Sequence, residues 1–377
     1  MKCDFLIVGA GFAGSIIAER VASQLNASVI LVDKRMHIGG NAFDYRNEDG
    51  ILIHKYGPHI FHSATRKPVD YLSKFTDWVP YFHRTLGVVE GNLIPIPFNF
   101  NSLYKSFPKN FAKRLEQKLI TTYGYGLKIP ILKLREHTDD EIKFLADYIY
   151  KNVFYNYTKK QWDLSPEELD PSVTSRVPVL LSRDNRYFQD SFQALPKEGY
   201  TKIFERFLAH KNIKVFLQTT FQEVKDEIKY KYLIYTGAID EFFDYKYGKL
   251  PYRSLRFDFQ RLDIKKFQPA AIVNYPNNND YTRITEFKNF MKHPQNCPTT
   301  IAIEYPEPFE EFKNERYYPI PQARNFEVYN KYYELTKEID NTILFVGRLA
   351  EYKYYNMNEV VASALMLFEN KISKLKL

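Results

Sequence analysis

The chain has 377 residues, of which 45% are hydrophobic, and a formal net charge of +8 from 53 basic and 45 acidic side chains. This length predicts two or three domains. Because the chain has only two cysteines, a disulfide framework is excluded, and a reducing compartment, the cytoplasm, is favoured. The basic residues are dispersed along the chain, which argues against nucleic-acid binding and favours an anionic small molecule as the ligand. The mean hydropathy of −0.43 argues against membrane insertion.

The N-terminal segment has the pattern of a dinucleotide-binding βαβ unit. An apolar strand leads into Gly9, Gly11 and Gly14, and a helix and a second apolar strand follow, ending at Asp33. The glycines permit a tight turn, close approach of backbone to a pyrophosphate and packing of helix on sheet, while the carboxylate can bond ribose hydroxyls. This pattern predicts dinucleotide binding but is shared by NAD and FAD proteins.

Later segments favour FAD over NAD. A second glycine pair, Gly39 and Gly40, with Asn41 beside it, can let backbone approach an extended cofactor again. Two more strand-to-turn segments, "YLIYTG" and "ILFVGR", lie in the middle and near the end, and the helix after the second can point its N-terminal amides at a flavin. These segments predict one sheet built discontinuously, as in flavoproteins of the amine-oxidase type.

Three histidines, His54, His59 and His62, fall within the short stretch "IHKYGPHIFHS". A helical metal site needs histidines four residues apart on one face, and Pro58 would break such a helix. The two cysteines lie far apart in the chain, which excludes a CxxC zinc site. The stretch therefore predicts no metal site.

Two insertions separate the pieces of the dinucleotide fold. The first is helical, because apolar residues recur four apart at Phe111, Leu115, Leu119 and Tyr123 and again at Leu145, Ile149 and Val153. Thr138 and Glu141 are spaced as a capping box. The second alternates between apolar and polar residues, with apolar positions at Leu255, Phe257, Phe259, Ile301, Ile303 and Tyr305.

The predicted fold is therefore α/β, with a discontinuous FAD-binding Rossmann-like domain, a small helical domain and an antiparallel β-sheet domain. We expect the FAD-binding domain to comprise residues 1–82, 190–245 and 315–377. The helical domain is expected over residues 98–165. The sheet domain is expected over residues 83–97, 166–189 and 246–314.

The chain resembles the bacterial UDP-galactopyranose mutases over nearly its full length. The motifs that carry the resemblance, in the family's order and approximate spacing, are "HIGGNA", "KYGPHIFH", "YTKKQW", "DNRYF", "EGYTK", "YTRITEF", "YYPI" and "GRLAEYKYYNM". The resemblance implies interconversion of UDP-galactopyranose and UDP-galactofuranose, which supplies furanose units for cell-surface polysaccharide. It implies that N5 of reduced FAD attacks the anomeric carbon and displaces UDP, with no net redox change. It further implies an external reductant, NAD(P)H, and a homodimer.

The resemblance also assigns roles to individual residues. Catalytic roles fall to Arg176 and Arg283, which would grip the substrate diphosphate, and to His62, near the reactive face of the flavin. Together with the glycine fingerprint, it assigns cofactor binding to Gly9, Gly11, Ala13, Gly14, Asp33, Lys34, Gly40, Asn41, His59, Ile60, Phe221, Arg348 and Met357. It assigns substrate binding to Phe154, Tyr157, Thr158, Trp162, Arg176, Tyr187, Asn274, Arg283, Tyr317 and Tyr354.

Two positions depart from the family pattern: Asn356 stands where aspartate is usual, and Ala238 stands where proline is usual. These differences leave open an N-acetylated or deoxy nucleotide sugar as the substrate. An FAD oxidoreductase of the amine-oxidase type shares the fold, but its chemistry does not explain paired arginines. A nucleotide-sugar-binding protein with a vestigial flavin is a third alternative. Loops 164–172 and 275–282 are predicted as lids over the cleft.

Overall fold

A computed structural model describes residues 1–291, 297–339 and 341–376. Residues 292–296, within the predicted sheet domain, and residues 340 and 377, within the predicted FAD-binding domain, lie outside the described residues. The strands are β1 (Lys2–Val8), β2 (Val29–Asp33), β3 (Asp44–Arg46), β4 (Leu52–His54), β5 (Phe61–Ser63), β6 (Trp78–Pro80), β7 (Thr85–Val89), β8 (Asn92–Ile96), β9 (Lys128–Ile129), β10 (Val179–Leu180), β11 (Phe192–Pro196), β12 (Ile213–Leu217), β13 (Lys229–Tyr235), β14 (Tyr252–Leu262), β15 (Ile272–Asn274), β16 (Arg283–Glu286), β17 (Thr299–Pro308), β18 (Tyr318–Pro319) and β19 (Ile343–Phe345). The helices are α1 (Phe12–Leu25), α2 (Arg66–Leu72), α3 (Phe100–Ser106), α4 (Lys109–Tyr123), α5 (Ile131–Arg135), α6 (Asp140–Ile149), α7 (Asn156–Trp162), α8 (Pro171–Ser175), α9 (Tyr200–Phe207), α10 (Phe221–Val224), α11 (Ile239–Phe242), α12 (Ala323–Glu338) and α13 (Met357–Asn370).

A parallel sheet in the order β12-β2-β1-β13-β19 forms the dinucleotide-binding part. The central residues of its inner strands, such as Leu6 and Ile7 of β1 and Ile30 and Leu31 of β2, are apolar and buried because both faces are covered. Residues of α1, α9 and α13 pack on one face, and a smaller cluster that includes Val224 and Ile228 covers the other. The strands come from the start, middle and end of the chain, so the predicted discontinuous α/β fold is confirmed.

Helices α3 to α6 surround a separate apolar core. The helical spacing predicted for this region is confirmed, since Leu115 and Leu119 of α4 are buried and Phe111 and Tyr123 pack at the edge of the same core. Helix α6 continues through a π-helical turn, Tyr150–Tyr155, into α7. This continuation carries the "YTKKQW" motif from the helical core to the wall of a cavity described below.

The predicted capping box at Thr138 and Glu141 is wrong by one residue. Helix α6 is capped by Asp139, whose carboxylate accepts hydrogen bonds from the amides of Glu141 and Ile142 at 3.0 and 3.1 Å. A carboxylate is a strong acceptor for helix N-terminal amides, and Lys118 also bonds it. The Glu141 side chain pairs with Arg114 and Lys118 instead of turning back to the cap.

A seven-stranded sheet has the order β18-β14-β17-β16-β15-β7-β8. Its strand pairs are antiparallel except for β15 with β7, which run parallel. The strand within residues 166–189, β10, pairs with β9 of the helical segment. In the middle of β17, Glu304 is 1% exposed, whereas Ile303 and Tyr305 are half-buried. The predicted apolar alternation therefore does not mark the more buried side of this strand.

Among the described residues, we find no helix with both the length and the apolar character required to cross a bilayer.

Candidate functional site

One cavity of about 280 Å³ lies at the carboxyl ends of β1, β2 and β13, the edge where parallel sheets bind nucleotides. It gathers most of the residues predicted to bind the cofactor: Gly9, Gly11, Ala13, Asp33, Lys34, Gly40, Asn41, His59, Phe221, Arg348 and Met357. Helices α1 and α13 both begin at its wall, so their free amides carry partial positive charge towards it. The cavity therefore suits an anionic, extended ligand.

The cavity wall depends on glycines that no larger residue can replace without movement. Gly9 has φ +103°, and a Cβ there would lie 2.1 Å from the Thr236 hydroxyl oxygen. Gly40 has φ +54°, and its Cβ would lie 3.0 Å from the Cα of Gly11. Two backbone turns thus approach each other with only hydrogens between them. Such a cradle fits a pyrophosphate bound by backbone amides.

The Asp33 carboxylate organises the first turn of this cradle. It accepts the amide of Ala10 at 2.7 Å and the amide of Arg35 at 2.8 Å, and the residue is 9% exposed. Its carboxylate therefore links the end of β2 to the glycine loop after β1. Its place in the cavity wall is where the dinucleotide fingerprint predicts a contact with ribose.

Two residues predicted to bind the cofactor lie outside this cavity wall. A Cβ on Gly14 would come within 2.0 Å of the Gly9 carbonyl oxygen, so Gly14 allows α1 to pack against the loop. Ile60 is 8% exposed and lines a neighbouring cavity beside His59. Their places in the structure therefore differ from those of the other predicted cofactor residues.

A second cavity, of about 420 Å³, lies between the helical part and the seven-stranded sheet. It gathers nine of the ten residues predicted to bind substrate, together with His62: Phe154, Tyr157, Thr158, Trp162, Arg176, Tyr187, Asn274, Arg283 and Tyr354. The tenth, Tyr317, lines a third cavity of about 180 Å³. This third cavity shares Asn41, His59, Arg348 and Met357 with the first and Arg176, Arg283 and His62 with the second. The predicted cofactor and substrate residues therefore meet at one junction.

Arg176 follows α8 and reaches the C-terminal motif. Its guanidinium donates to the Tyr354 carbonyl at 2.6 Å and to the side-chain oxygen of Asn356, and it lies 3.9 Å from the Tyr354 ring centroid. All of these partners are neutral. Its position on both the second and third cavities suits an anion-binding role.

Arg283, at the start of β16, is held differently. Its guanidinium donates to Glu304 at 2.8 and 2.9 Å, and this carboxylate is buried on the neighbouring strand β17. Burial alone would lower the pKa of Arg283, but the Glu304 charge and nearby tyrosines outweigh it and hold that pKa above its usual value. Arg283 is thus a fixed cation at the cavity wall.

His62 lies on β5 and also faces the junction. Its Nδ1 donates to the Asp190 carboxylate, and its ring stacks on Phe188 with centroids 3.7 Å apart. Burial lowers the pKa of His62, while the Asp190 contact opposes that shift. The carboxylate and the stacked ring fix the orientation of the imidazole, leaving Nε2 as the nitrogen available for further interactions.

The other two histidines of the stretch have separate surroundings. The His54 ring accepts the His59 amide at 2.9 Å and stacks on Phe290, and burial lowers its pKa to about 4. His59 donates from Nδ1 to the Gly57 carbonyl at 2.6 Å, and burial lowers its pKa to about 3. Both rings are neutral near pH 7. His59 borders the junction, whereas His54 lies in the core.

Aromatic rings form the rest of the second cavity wall. The ring of Tyr354 lies 5.3 Å from Trp162 and 5.0 Å from Tyr318, both edge to face. Burial raises the pKa of Tyr157 and of Tyr318 above their usual values, so both hydroxyls stay protonated. The rings offer faces for stacking a base, and the hydroxyls offer hydrogen bonds.

The predicted lid loop 275–282 is tied to helix α7 by Lys160. Its ammonium donates to the carbonyls of Tyr275, Asn279 and Tyr281 at 2.5 to 2.9 Å, and burial lowers its pKa to about 8. Any movement of this loop away from α7 must break all three contacts. Lys160 therefore clamps the loop beside the second cavity.

We expect Lys160→Met to loosen this loop. Hydrogen–deuterium exchange of the amides in residues 275–282 should speed up about tenfold or more, because one charged hydrogen-bond donor to three carbonyls is lost. Lys159→Met is the matched control, since Lys159 is exposed on the same helix. Equal exchange in this loop for both variants would contradict the clamp.

Sequence reasoning missed three residues that line the second or third cavity: Glu304, Asp190 and Tyr318. Glu304 is a lone acid in an otherwise apolar run of β17, which is itself a signal, because a charge buried in a strand needs a partner. Tyr318 stands inside the recognised "YYPI" motif next to Tyr317. Nothing in the sequence connects Asp190 with His62, which lies 128 positions away.

The chain is similar to known proteins over nearly its full length. The family model described as UDP-galactopyranose mutase matches residues 152–354, and the model for NAD(P)-binding Rossmann-like domains matches residues 7–75. The chain is 34% identical to a Klebsiella pneumoniae protein described as a probable UDP-galactopyranose mutase, over 98% of this chain and 95% of the relative. It is 33% identical to the dTDP-fucopyranose mutase of Escherichia coli, over 96% of each chain. It is 32% identical to the UDP-galactopyranose mutase of Mycoplasma pneumoniae, over 97% of this chain and 95% of the relative.

Solved structures share the fold. A reduced UDP-galactopyranose mutase superposes with a TM-score of 0.76 at 16% identity, covering 100% of this chain and 95% of that one. A putrescine oxidase variant superposes with a TM-score of 0.60 at 9% identity, covering 99% and 100%. The two matched family models together imply a flavin cofactor. From the full-length relatives and the family model that spans both arginines and the aromatic wall, the chain belongs to the UDP-galactopyranose mutase family.

Proposed function

We propose that this chain interconverts UDP-galactopyranose and UDP-galactofuranose in the cytoplasm, with FAD in its reduced form as cofactor. The observation that carries the proposal is the junction of the cavities, where the glycine-lined nucleotide cradle opens onto the space between Arg176 and Arg283. An enzyme that brings a flavin to the anomeric carbon of a nucleotide sugar needs this adjacency. The Klebsiella and Mycoplasma relatives support the choice of substrate.

The residues of the first cavity fit an FAD. The glycine cradle would receive the pyrophosphate, and Asp33 would bond the adenosine ribose. His59, Arg348 and Met357 line both this cavity and the junction, so they would border the flavin ring. When bound, the reduced flavin supplies the nucleophile, N5, for the anomeric carbon, with UDP as the leaving group. An external reductant, which we take to be NAD(P)H, would keep it reduced.

The chain's own residues hold the substrate and stabilise its charge. Arg176 and Arg283 would grip the diphosphate and stabilise the negative charge that grows on UDP as the sugar departs. Tyr157 and Trp162 would enclose the uridine and exclude water from the cleft. His62, oriented by Asp190, would hydrogen-bond the sugar or tune the flavin from the shared wall.

A second candidate substrate is a deoxy nucleotide sugar. The Escherichia coli relative, a dTDP-fucopyranose mutase, is 33% identical to this chain, between the 34% of the Klebsiella relative and the 32% of the Mycoplasma pneumoniae relative. Ring contraction would use the same diphosphate grip, and the difference would lie around the sugar hydroxyls. An N-acetylated sugar is the corresponding variant with a larger substituent. We also propose a homodimer for the working enzyme, as the family resemblance implies.

The test is an anaerobic assay on the purified holoenzyme. The protein, reduced with dithionite, is incubated with UDP-galactofuranose, dTDP-fucofuranose or UDP-N-acetylgalactofuranose, and products are separated by chromatography beside an oxidised control. We expect conversion of UDP-galactofuranose to the pyranose only in the reduced sample. If another nucleotide sugar is converted faster, that sugar is the preferred substrate. If no sugar is converted, the proposal is overturned.

Gly40→Ala tests the cofactor cradle independently of turnover. The new methyl group would press on Gly11 in a backbone conformation that alanine adopts at a cost of about 1 kcal/mol or more. We expect the purified variant to retain less than about half of the wild-type ratio of flavin to protein, read from visible absorbance. Gly50→Ala is a matched control, because Gly50 also has positive φ but nothing lies within 4 Å of its Cβ position. Equal flavin loss in both variants would contradict the assignment of the cradle.

A further inference from the structure

Among the residues that the structure describes, the hydrogen-bond acceptors of two arginines at the junction are neutral. Arg176 donates to the Tyr354 carbonyl and to the Asn356 side-chain oxygen. Arg348 donates to the carbonyls of Tyr317 and Tyr355 at 3.2 and 2.7 Å. Burial lowers the pKa of Arg348, and the charge of Arg176 adds to that shift, so the two cations act on each other. This part of the junction therefore carries two guanidinium charges without a salt bridge among the described residues, and the nearby Glu359 carboxylate acts against the lowering of the Arg348 pKa.

The Arg283 cation, by contrast, is paired with the Glu304 carboxylate. His62 donates a hydrogen bond to Asp190, and burial lowers the pKa of His62. Within the ranges that the structure describes, no carboxylate forms a salt bridge with Arg176 or Arg348. The nearby Glu359 carboxylate instead accepts the backbone amide of Asn356 at 2.5 Å, at the start of α13. The Arg176 guanidinium thus contacts the neutral amide of Asn356. An aspartate at this position, which has the same size, would neutralise the charge of the guanidinium.

We infer that Asn356 sets the charge of the diphosphate site, because its neutral amide orients Arg176 without pairing with its positive charge. This inference rests on the proposed function, since it concerns the same diphosphate. Free UDP carries one more negative charge than UDP esterified to a sugar. A guanidinium that has no salt-bridged carboxylate therefore stabilises free UDP more than it stabilises the intact nucleotide sugar. Asn356 would keep UDP in the cleft while the sugar changes its ring size.

The test compares a ligand that carries the diphosphate with one that lacks it. Binding of UDP and of uridine to the oxidised holoenzyme is measured by calorimetry for the wild type, Asn356→Asp and Asn356→Ala. Aspartate caps a helix as well as asparagine does, so Asn356→Asp should fold normally. We expect Asn356→Asp to weaken UDP binding about tenfold, which corresponds to about 1.4 kcal/mol, and to leave uridine binding unchanged. Asn356→Ala removes the oxygen without adding charge, so it should weaken UDP binding less than Asn356→Asp does.

A second comparison shows whether Asn356 acts through Arg176. In an Arg176→Ala background, adding Asn356→Asp should change UDP affinity less than it does in the wild type, because the cation that it neutralises is gone. Undiminished UDP affinity in Asn356→Asp, or equal losses for UDP and uridine, would overturn the inference. If the wild type itself fails to bind UDP, the proposed function fails rather than the charge assignment.

Discussion

Replacing Arg283 with alanine should lower kcat/KM for the nucleotide sugar by about a hundredfold or more while the flavin stays bound. A hydrogen bond to a charged group contributes about 1.5 to 3 kcal/mol, and the guanidinium can offer two to a diphosphate. Arg283 does not line the nucleotide cradle, so the cofactor should be retained. The measurement is steady-state turnover of the reduced enzyme together with the ratio of flavin to protein.

The single variant also leaves Glu304 without its partner, and an unpaired buried carboxylate destabilises a protein by about 3 to 5 kcal/mol. The double variant Arg283→Ala with Glu304→Gln removes that charge and serves as the control for folding. If the double variant is stable but as inactive as the single one, the loss comes from the missing grip on the diphosphate. Near-normal turnover in both Arg283→Ala and Arg176→Ala would refute the role of the two arginines.

His62→Ala should reduce turnover about a hundredfold, whereas His54→Ala should mainly reduce stability. His62 lines both the second and third cavities and is oriented by Asp190. His54 is 3% exposed and stacks in the core, where truncation leaves a void and costs about 2 to 4 kcal/mol. The measurements are kcat at saturating substrate and the midpoint of urea unfolding for both variants.

Asp190→Asn is the companion variant for His62. It keeps the size of the side chain but removes the charge that opposes the lowered pKa of His62. We expect the pKa of His62 in Asp190→Asn to fall further, visible by NMR titration of the ring, with a partial loss of kcat. A larger effect of His54→Ala than of His62→Ala on kcat would overturn the assignment of the catalytic histidine.

The dinucleotide part could be predicted from the sequence because its signals are local. Gly9, Gly11 and Asp33 lie within one βαβ unit, and each has a conformational or charge requirement that few residues satisfy. The helical spacing around Leu115 and Leu119 was equally readable, since burial on one face of a helix repeats in the sequence. The family resemblance of the "YTKKQW" and "YTRITEF" motifs predicted residues that line the second cavity.

The parts that failed depend on contacts between distant segments. Asp139 caps α6 in place of Thr138 because Lys118, on another helix, supports its charge. The buried side of β17 carries Glu304 because Arg283 of β16 compensates it, and apolar alternation alone could not show this. The Asp190 contact with His62 likewise arises only when β5 pairs with β11. Pairwise charge compensation across strands leaves no periodic trace in a sequence.

The most direct test of the central claim is to follow flavin oxidation state and sugar turnover in the same anaerobic sample. The reduced holoenzyme is mixed with a large excess of UDP-galactofuranose, the flavin absorbance is recorded, and the pyranose formed is quantified by chromatography. We predict many moles of pyranose per mole of flavin while the spectrum stays that of reduced flavin. Product formation limited to one equivalent with stoichiometric change in flavin oxidation state, or no pyranose at all, would contradict a mutase.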